Sequence, residues 1–180
     1  FHPRPDNEVE AFRTTMNLNR PFVLFVGTLE PRKNVDILIT AFGTLVRQNK
    51  FSGDLVIVGG TGWGTRAIDA ALAKSPIRDR IKMMGYVNQN ELPSWYTAAT
   101  LVVYPSSYEG FGIPVLEAMA SGTPVITSNQ SSLPEVGGNA SLTIGPRDAL
   151  QLADAMTTVL ASRRQREEMR SRGLAQALSL

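Results

Sequence analysis

The chain has 180 residues, 43% hydrophobic and 19% charged, and a formal net charge of +2. That is enough for one well-buried core and short for two, since domains run to about 100–200 residues, and the composition excludes disordered and fibrous classes. The charge is too mild to imply nucleic acid as a partner, and zero cysteines with the single His2 leave no disulfide framework, thiolate site or histidine cluster, so a cytosolic, metal-independent core is expected.

No apolar run approaches the roughly 18 residues of a spanning helix, and Phe1-His2-Pro3-Arg4-Pro5-Asp6 lacks the charged-then-apolar pattern of a signal peptide. The chain starts without methionine and reads as a piece of a longer protein. Residues 1–20 read as a proline- and asparagine-bearing lead-in, and 21–180 as one domain.

Phe22-Val23-Leu24-Phe25-Val26 is a continuous apolar run closed by Gly27, the pattern of a strand buried on both faces. Asn34 is expected to cap an amphipathic helix from Val35 to about Gln48, with Leu38, Ala41, Phe42 and Leu45 on one face. The unit then recurs. Leu55 to Val58 ends in Gly59-Gly60 before a helix near Arg66 to Lys74, and Ile81 to Met84 ends in Gly85 before one near Glu91 to Ala99. Leu101 to Tyr104 precedes a helix opened by Pro114, and Pro124 to Thr127 precedes a loop through Ser131-Ser132. Helices from Arg147 to Leu160 and from Gln165 to Leu178 follow. Such alternation implies an α/β, three-layer Rossmann-like domain: a parallel sheet flanked by helices. Ligands of such sheets sit beyond the carboxyl ends of the strands, so the glycine-bearing loops after the first, second and fourth strands belong to one candidate cleft.

The most informative stretch is Glu109-Gly110-Phe111-Gly112-Ile113-Pro114-Val115-Leu116-Glu117. Pro114 suits a first helical position, which leaves Glu109 on the loop and Glu117 in the first turns of the helix. The Gly112 and Ile113 amides, with the positive end of the helix dipole behind them, form a ready phosphate site. Glu117 at the same end is placed to accept from a vicinal diol, as acidic residues do for ribose in dinucleotide folds. Glu109 then faces whatever hangs from the far phosphate.

A second group follows the first strand, in Gly27-Thr28-Leu29-Glu30-Pro31-Arg32-Lys33-Asn34. Gly27 permits close backbone approach, while Arg32 and Lys33 offer two cations that neutralise a diphosphate without a metal. As a leaving group that diphosphate gains negative charge during cleavage, and the same cations stabilise it. An adjacent basic pair is as often simply solvated, so the position after the first strand carries this reading. Gly85-Tyr86-Val87-Asn88 offers a flat surface for a nucleobase, with Val87 at its centre, and Gly59-Gly60-Thr61-Gly62 is as consistent with a plain turn. Trp63 and Trp95 read as packing residues or cleft walls, His2 as an unconstrained linker residue, and the basic run from Arg163 to Arg172 as a solvated helix face, with docking on acidic lipid the alternative.

Together these residues resemble the retaining, nucleotide-sugar-dependent glycosyltransferases known as group 1, or family 4, with the GT-B fold. Glu109 and Glu117 match the family's Glu-x7-Glu motif, and Glu117-Ala118-Met119-Ala120-Ser121-Gly122 and Ser131-Ser132-Leu133-Pro134-Glu135-Val136 extend the likeness from about Arg20 to Leu178. The resemblance implies a two-domain enzyme whose C-terminal half, the part present here, binds a nucleotide-diphosphate sugar, while an N-terminal domain absent from this chain holds a saccharide or lipid-linked acceptor. It implies that Glu117 holds the ribose, Lys33 the diphosphate and Glu109 the hydroxyls of the donor sugar. Gly110, Phe111, Gly112, Ile113 and Pro114 would give backbone contacts to sugar and phosphate, and Val87 would meet the base. No metal or other cofactor is implied for this half, and the expected location is cytoplasmic, with peripheral association at a membrane surface the alternative. Many members carry arginine directly after the first-strand glycine, where this chain has Thr28, so either Arg32 takes over or fewer cations hold the phosphate. Members normally continue past this chain's end into a segment crossing back to the N-terminal domain, and the expectation is that this chain alone binds nucleotide weakly and transfers nothing. A nucleotide-sugar epimerase on the same scaffold and a non-catalytic nucleotide-binding module are the rival readings.

Overall fold

The computed structural model describes residues 1–180. Phe22–Val26 (β1) and Asp54–Val58 (β2) are buried along their whole length, as uninterrupted apolar strands are when helices cover both faces of a sheet. Ile81–Gly85 (β3), Leu101–Tyr104 (β4), Val125–Ser128 (β5) and Leu142–Ile144 (β6) complete a six-stranded sheet ordered β3-β2-β1-β4-β5-β6, every neighbouring pair parallel. The chain builds outward from β1 through β2 to β3, then returns to the other side of β1 for β4. The reversal lies between β1 and β4, and a crevice at the carboxyl ends of those two strands is where such sheets hold ligands.

Parallel neighbours need crossovers, and right-handed crossovers running in opposite directions from β1 place their helices on opposite faces. Val35–Arg47 (α2) accordingly packs with Arg66–Lys74 (α3) and Ala149–Ala161 (α7) as one layer. Leu92–Ala98 (α4), Ile113–Ala120 (α5), Leu133–Gly137 (α6) and Arg163–Ser179 (α8) form the other. The expected face of α2, Leu38, Ala41, Phe42 and Leu45, is fully buried. Caps mark the later helices: Asp148 accepts from Gln151 N at 2.8 Å before α7, and Ser162 from Gln165 N at 3.1 Å before α8.

Several sequence expectations differ from the structure. Residues 1–20 are not a bare lead-in, because Asp6–Thr15 (α1) is a helix packed on α4 with Phe12 edge-on to Trp95 at 5.0 Å, and Leu18 is buried. Its mostly polar sequence hid a single stripe, Val9, Phe12 and Met16, that meets the core. His2 is not free of contact either, its Nε2 lying 3.4 Å from the Arg4 guanidinium. Asn34 does not cap α2 with its side chain; it sits in the left-handed region at φ 53° and sends that side chain to another loop. The loop through Ser131-Ser132 continues into α6 and β6, five and three residues long, too short to show a period.

The basic stretch of α8 is only partly a solvated face. Arg163 and Arg164 pair with Glu167 and Glu168 in solvent, whereas Arg166 reaches the Val159 and Leu160 carbonyls at the end of α7, and Arg170 reaches Gly122 O just past α5. Arg13 does the same for Ala98 O at the end of α4. Arginines here meet the negative ends of three helices, which is where helical carbonyls lack partners. No helix is long and apolar enough to cross a membrane.

Candidate functional site

Beyond β1 the chain runs through Gly27-Thr28-Leu29-Glu30 into a tight 3-10 turn, Pro31–Lys33, and then through Asn34 into α2. Leu29 bridges Thr61 beyond β2, so the loops of two adjacent strands stay in register past the sheet. Beyond β4 the loop from Pro105 to Gly112 folds onto the first. Asn34 Nδ2 donates to Pro105 O at 2.9 Å and Ser107 Oγ at 2.7 Å, while Ser107 N and Ser106 Oγ donate to Arg32 O at 2.8 and 3.2 Å. These bonds fasten the two loops at the point where the strand order reverses.

Lys33 and Arg32 are thereby carried to Glu109. Its Oε1 accepts from Lys33 Nζ at 2.6 Å, Arg32 Nη1 at 2.8 Å and Tyr104 Oη at 2.9 Å. Lys33 Nζ also donates to Tyr104 Oη and lies 4.8 Å from the centre of that ring. The backbone of Glu109 is held as well: Ser131 Oγ and Ser132 Oγ donate to its carbonyl at 2.6 and 3.0 Å, and its own N–H donates to Ser131 Oγ at 3.3 Å.

The Lys33 and Glu109 side chains are only 7% and 10% exposed, so this is an ion pair largely withdrawn from water. Burial pushes the Glu109 carboxyl up, but the hydrogen bond and charge of Lys33, with the nearby Ser106 and Tyr104 hydroxyls, outweigh it and hold the group below the usual carboxylate range. Lys33 moves down from the ordinary lysine value because burial exceeds the help of Glu109. Arg32 is more exposed, and although burial works against its charge, Glu109 and Glu30 raise it; its Nε holds Glu30 Oε2 at 2.9 Å. Both cations expected for a diphosphate are thus counterbalanced by the chain's own carboxylates.

The same loop runs into α5. Gly112 is buried at φ 97°, and a Cβ there would come within 2.7 Å of Leu133 Cδ2. That turn presents Phe111 and Ile113 outward, 46% and 59% exposed, with Pro114 in the first turn. The N–H groups of Gly112 and Ile113 have no acceptor within the chain, the expected state of a helix start that is open to an anion. Gly110 has open space around it. Glu117 is half-buried and accepts from Tyr96 Oη at 3.0 Å; burial raises its carboxyl above the ordinary value, with the Tyr96 bond acting in the other direction.

On the other side of β1, Gly27, Thr28 and Val87 line a shallow pocket of about 170 Å³ with Gly59, Gly60 and Tyr86. A Cβ on Gly59 would lie 1.9 Å from Gly27 O, so glycine is what lets the two loops touch. Trp95 is a core residue, whereas Tyr86, which lines the pocket, and Trp63 are 82% and 68% exposed.

The residues proposed from sequence thus fall into three neighbouring groups: Lys33 and Arg32 with Glu109, the start of α5 with Glu117, and the Gly27, Thr28 and Val87 pocket. Sequence reasoning passed over Tyr104, Tyr96, Ser106 and Ser107. The available signal for Tyr104 was a tyrosine as the last residue of a buried strand, with its hydroxyl at the ligand edge of the sheet.

Residues 6–176 match the family profile described as Glycosyl transferases group 1. The chain belongs to this family. Among curated relatives, it is 40% identical over 156 residues to the O-antigen chain mannosyltransferase B of Escherichia coli, covering 87% of this chain and 41% of that protein. It is 34% identical over 168 residues to the D-inositol 3-phosphate glycosyltransferase of Frankia alni, with the same two coverages. The chain therefore spans about two fifths of the length of these relatives.

Among solved structures it superposes on the sucrose-phosphate synthase of Thermosynechococcus elongatus with a TM-score of 0.87 and 30% identity, over 100% of this chain and 45% of that one. The HepE protein of Anabaena, solved with UDP and glucose, has the same fold at a TM-score of 0.88 and 21% identity, over 99% and 49% of the two chains. A C-terminal domain of a group 1 glycosyl transferase from Francisella tularensis matches at 0.86 and 22% identity, over 99% and 94%. As a group 1 glycosyltransferase domain, the chain has the Rossmann-like architecture expected from its strand and helix alternation, and it matches GT-B glycosyltransferase structures as the family resemblance implied.

Proposed function

We propose that this domain binds the nucleotide-diphosphate sugar for a retaining hexosyl transfer, with Lys33 and Arg32 on the diphosphate, Glu109 on the sugar hydroxyls and Glu117 on the ribose. The observation that carries this reading is the convergence of Lys33 and Arg32 on Glu109 at the β1 and β4 loops, beside a helix start with unpartnered N–H groups. The pocket lined by Gly27, Thr28 and Val87 is the site proposed for the base. The diphosphate charge is met by protein cations and amides in this half, with Arg32 in the role that arginine at the Thr28 position would otherwise take.

In the reaction we envisage, the bond between the sugar C1 and the distal phosphate oxygen breaks and its electron pair goes to that oxygen. Lys33, Arg32 and the α5 amides stabilise the growing charge. The acceptor hydroxyl attacks C1 from the face the phosphate leaves, and its proton passes to the departing phosphate oxygen, which retains the anomeric configuration. Glu109 orients the sugar and forms no bond to it. Mannosyl is the favoured donor sugar, supported by the name of the 40% identical relative, with glucosyl second. The acceptor is a saccharide or lipid-linked saccharide bound by a part of the enzyme outside this chain.

Calorimetric titration of this chain with UDP, GDP and ADP tests the reading. At least one binds, weakly, and Lys33→Ala abolishes the heat; no binding by any of the three, or binding indifferent to Lys33→Ala, overturns it. Sugar transfer by the chain alone would contradict the assignment of the acceptor to another part of the enzyme.

A further inference from the structure

We propose that Tyr104 is a positioning residue for Glu109, the neutral tether that keeps this carboxylate in place while a bound diphosphate draws Lys33 and Arg32 away from it. The inference rests on the donor-binding reading above and adds a residue that lies outside the Glu109 to Glu117 motif.

Three donors share the one oxygen, Glu109 Oε1. Two are cations, and in the ligand-free chain Glu109 serves as their internal counter-ion. A nucleoside diphosphate brings more negative charge than one carboxylate and competes for both. It also repels Glu109, so a carboxylate held by those cations alone would swing out as the donor arrived. The third donor carries no charge for phosphate to attract.

Tyr104 is built to stay where it is. It is 1% exposed, its ring stacks on Phe25 at 5.8 Å with an interplanar angle of 16°, and its carbonyl accepts from Thr127 Oγ1 at 2.9 Å on the neighbouring strand. Burial, then the adjacent Glu109, push its hydroxyl far above the ordinary phenol value, so it remains a donor at any working pH. The hydroxyl therefore fixes Oε1 at the end of β4, and the carboxylate keeps its position for the sugar.

Glu109 thus has two separable effects that a simple binding role would join. As counter-ion it opposes the diphosphate, and as sugar contact it favours the whole donor. Titrations of this chain with GDP, GDP-mannose, UDP and UDP-glucose read both for wild type, Glu109→Gln, Tyr104→Phe and the double variant, using the nucleotide pair that wild type binds. Glu109→Gln should tighten the nucleoside diphosphate by about threefold or more, while raising the ratio of sugar-nucleotide Kd to diphosphate Kd by about five- to tenfold. Tyr104→Phe, which keeps the ring stack, should leave diphosphate Kd within about twofold and raise the same ratio. In the double variant the ratio should match Glu109→Gln alone, because Tyr104 acts through Glu109.

An unchanged ratio in Tyr104→Phe, or equal weakening of both ligands, overturns the tether. Weaker diphosphate binding by Glu109→Gln overturns the counter-ion role, and this arm stands even where Tyr104→Phe lowers the thermal midpoint. Failure of wild type to bind any of the four ligands instead overturns the donor-binding reading itself.

Discussion

Tyr96 Oη lies 3.0 Å from Glu117 Oε2, a hydrogen bond from α4 to α5 made by a side chain with no solvent exposure. Half-burial next to a single phenol makes this carboxylate a cost to stability, since burial raises its carboxyl above the ordinary value. A folded-state pKa above the unfolded value means that stability is greatest below the unfolded pKa and is lost as pH rises through the folded one. Tyr96→Phe removes the only bond that opposes this shift. It should cost about 1–3 kcal/mol at pH 7 and distinctly less near pH 4, where the carboxyl is mostly protonated in both states. Urea unfolding at the two pH values measures the difference.

Asn34 joins the β1 and β4 loops and also accepts from Arg147 at 2.9 Å. Its φ of 53° lies in a region asparagine tolerates far better than alanine. Asn34→Ala loses both the bonds and the conformation, and should destabilise by about 2–4 kcal/mol. Asn34→Gly keeps the conformation and should recover about 1 kcal/mol of that. Denaturant midpoints of the two variants separate the contributions, and equal midpoints would assign the whole cost to the lost bonds.

Most of the frame was legible in the chain because parallel strands buried on both faces announce themselves as apolar runs closed by glycine. Leu101 to Tyr104 was bounded to the residue, and the ends of α2 and β2 fell within one residue of expectation. What stayed hidden depended on contacts distant in sequence. α1 presents few apolar residues and docks on α4 with Phe12 against Trp95, and β6 is three residues long at a sheet edge. In the site, the glycine, lysine and glutamate positions were readable because loops after parallel strands converge. The tyrosines were not, because a tyrosine ending a strand looks like core until a partner 71 positions away, Lys33, appears beside its hydroxyl.

Glu109 has its folded-state pKa depressed below 4.5. A depressed carboxylate contributes stability that is present above its unfolded pKa and lost as pH falls through the folded one. The acid limb of wild-type stability below about pH 4.5 should therefore be steeper than that of Glu109→Gln, which has no proton to take up at this site. At pH 7 the variant should be less stable by about 2–4 kcal/mol, since Lys33 remains buried without its counter-charge. Guanidinium or urea unfolding between pH 3 and 7 checks both, and parallel curves displaced by a constant amount would refute the assigned shift.

Gly112 turns the β4 loop into α5, and its hydrogen faces Leu133, which is itself fully buried. Gly112→Ala meets two obstacles: a φ of 97°, which L side chains rarely adopt, and a methyl group 2.7 Å from Leu133 Cδ2. Together they should cost about 2–4 kcal/mol, or shift the turn to relieve the strain. A shifted turn moves the free Gly112 and Ile113 amides, so nucleoside diphosphate affinity should fall about tenfold even where the variant stays folded. Adding Leu133→Ala makes room for the methyl group and leaves the backbone angle as it was. If the double variant regains nucleotide affinity, the amides were displaced by the contact with Leu133; if it does not, the left-handed turn itself aims them, and only glycine at this position opens the helix start to phosphate.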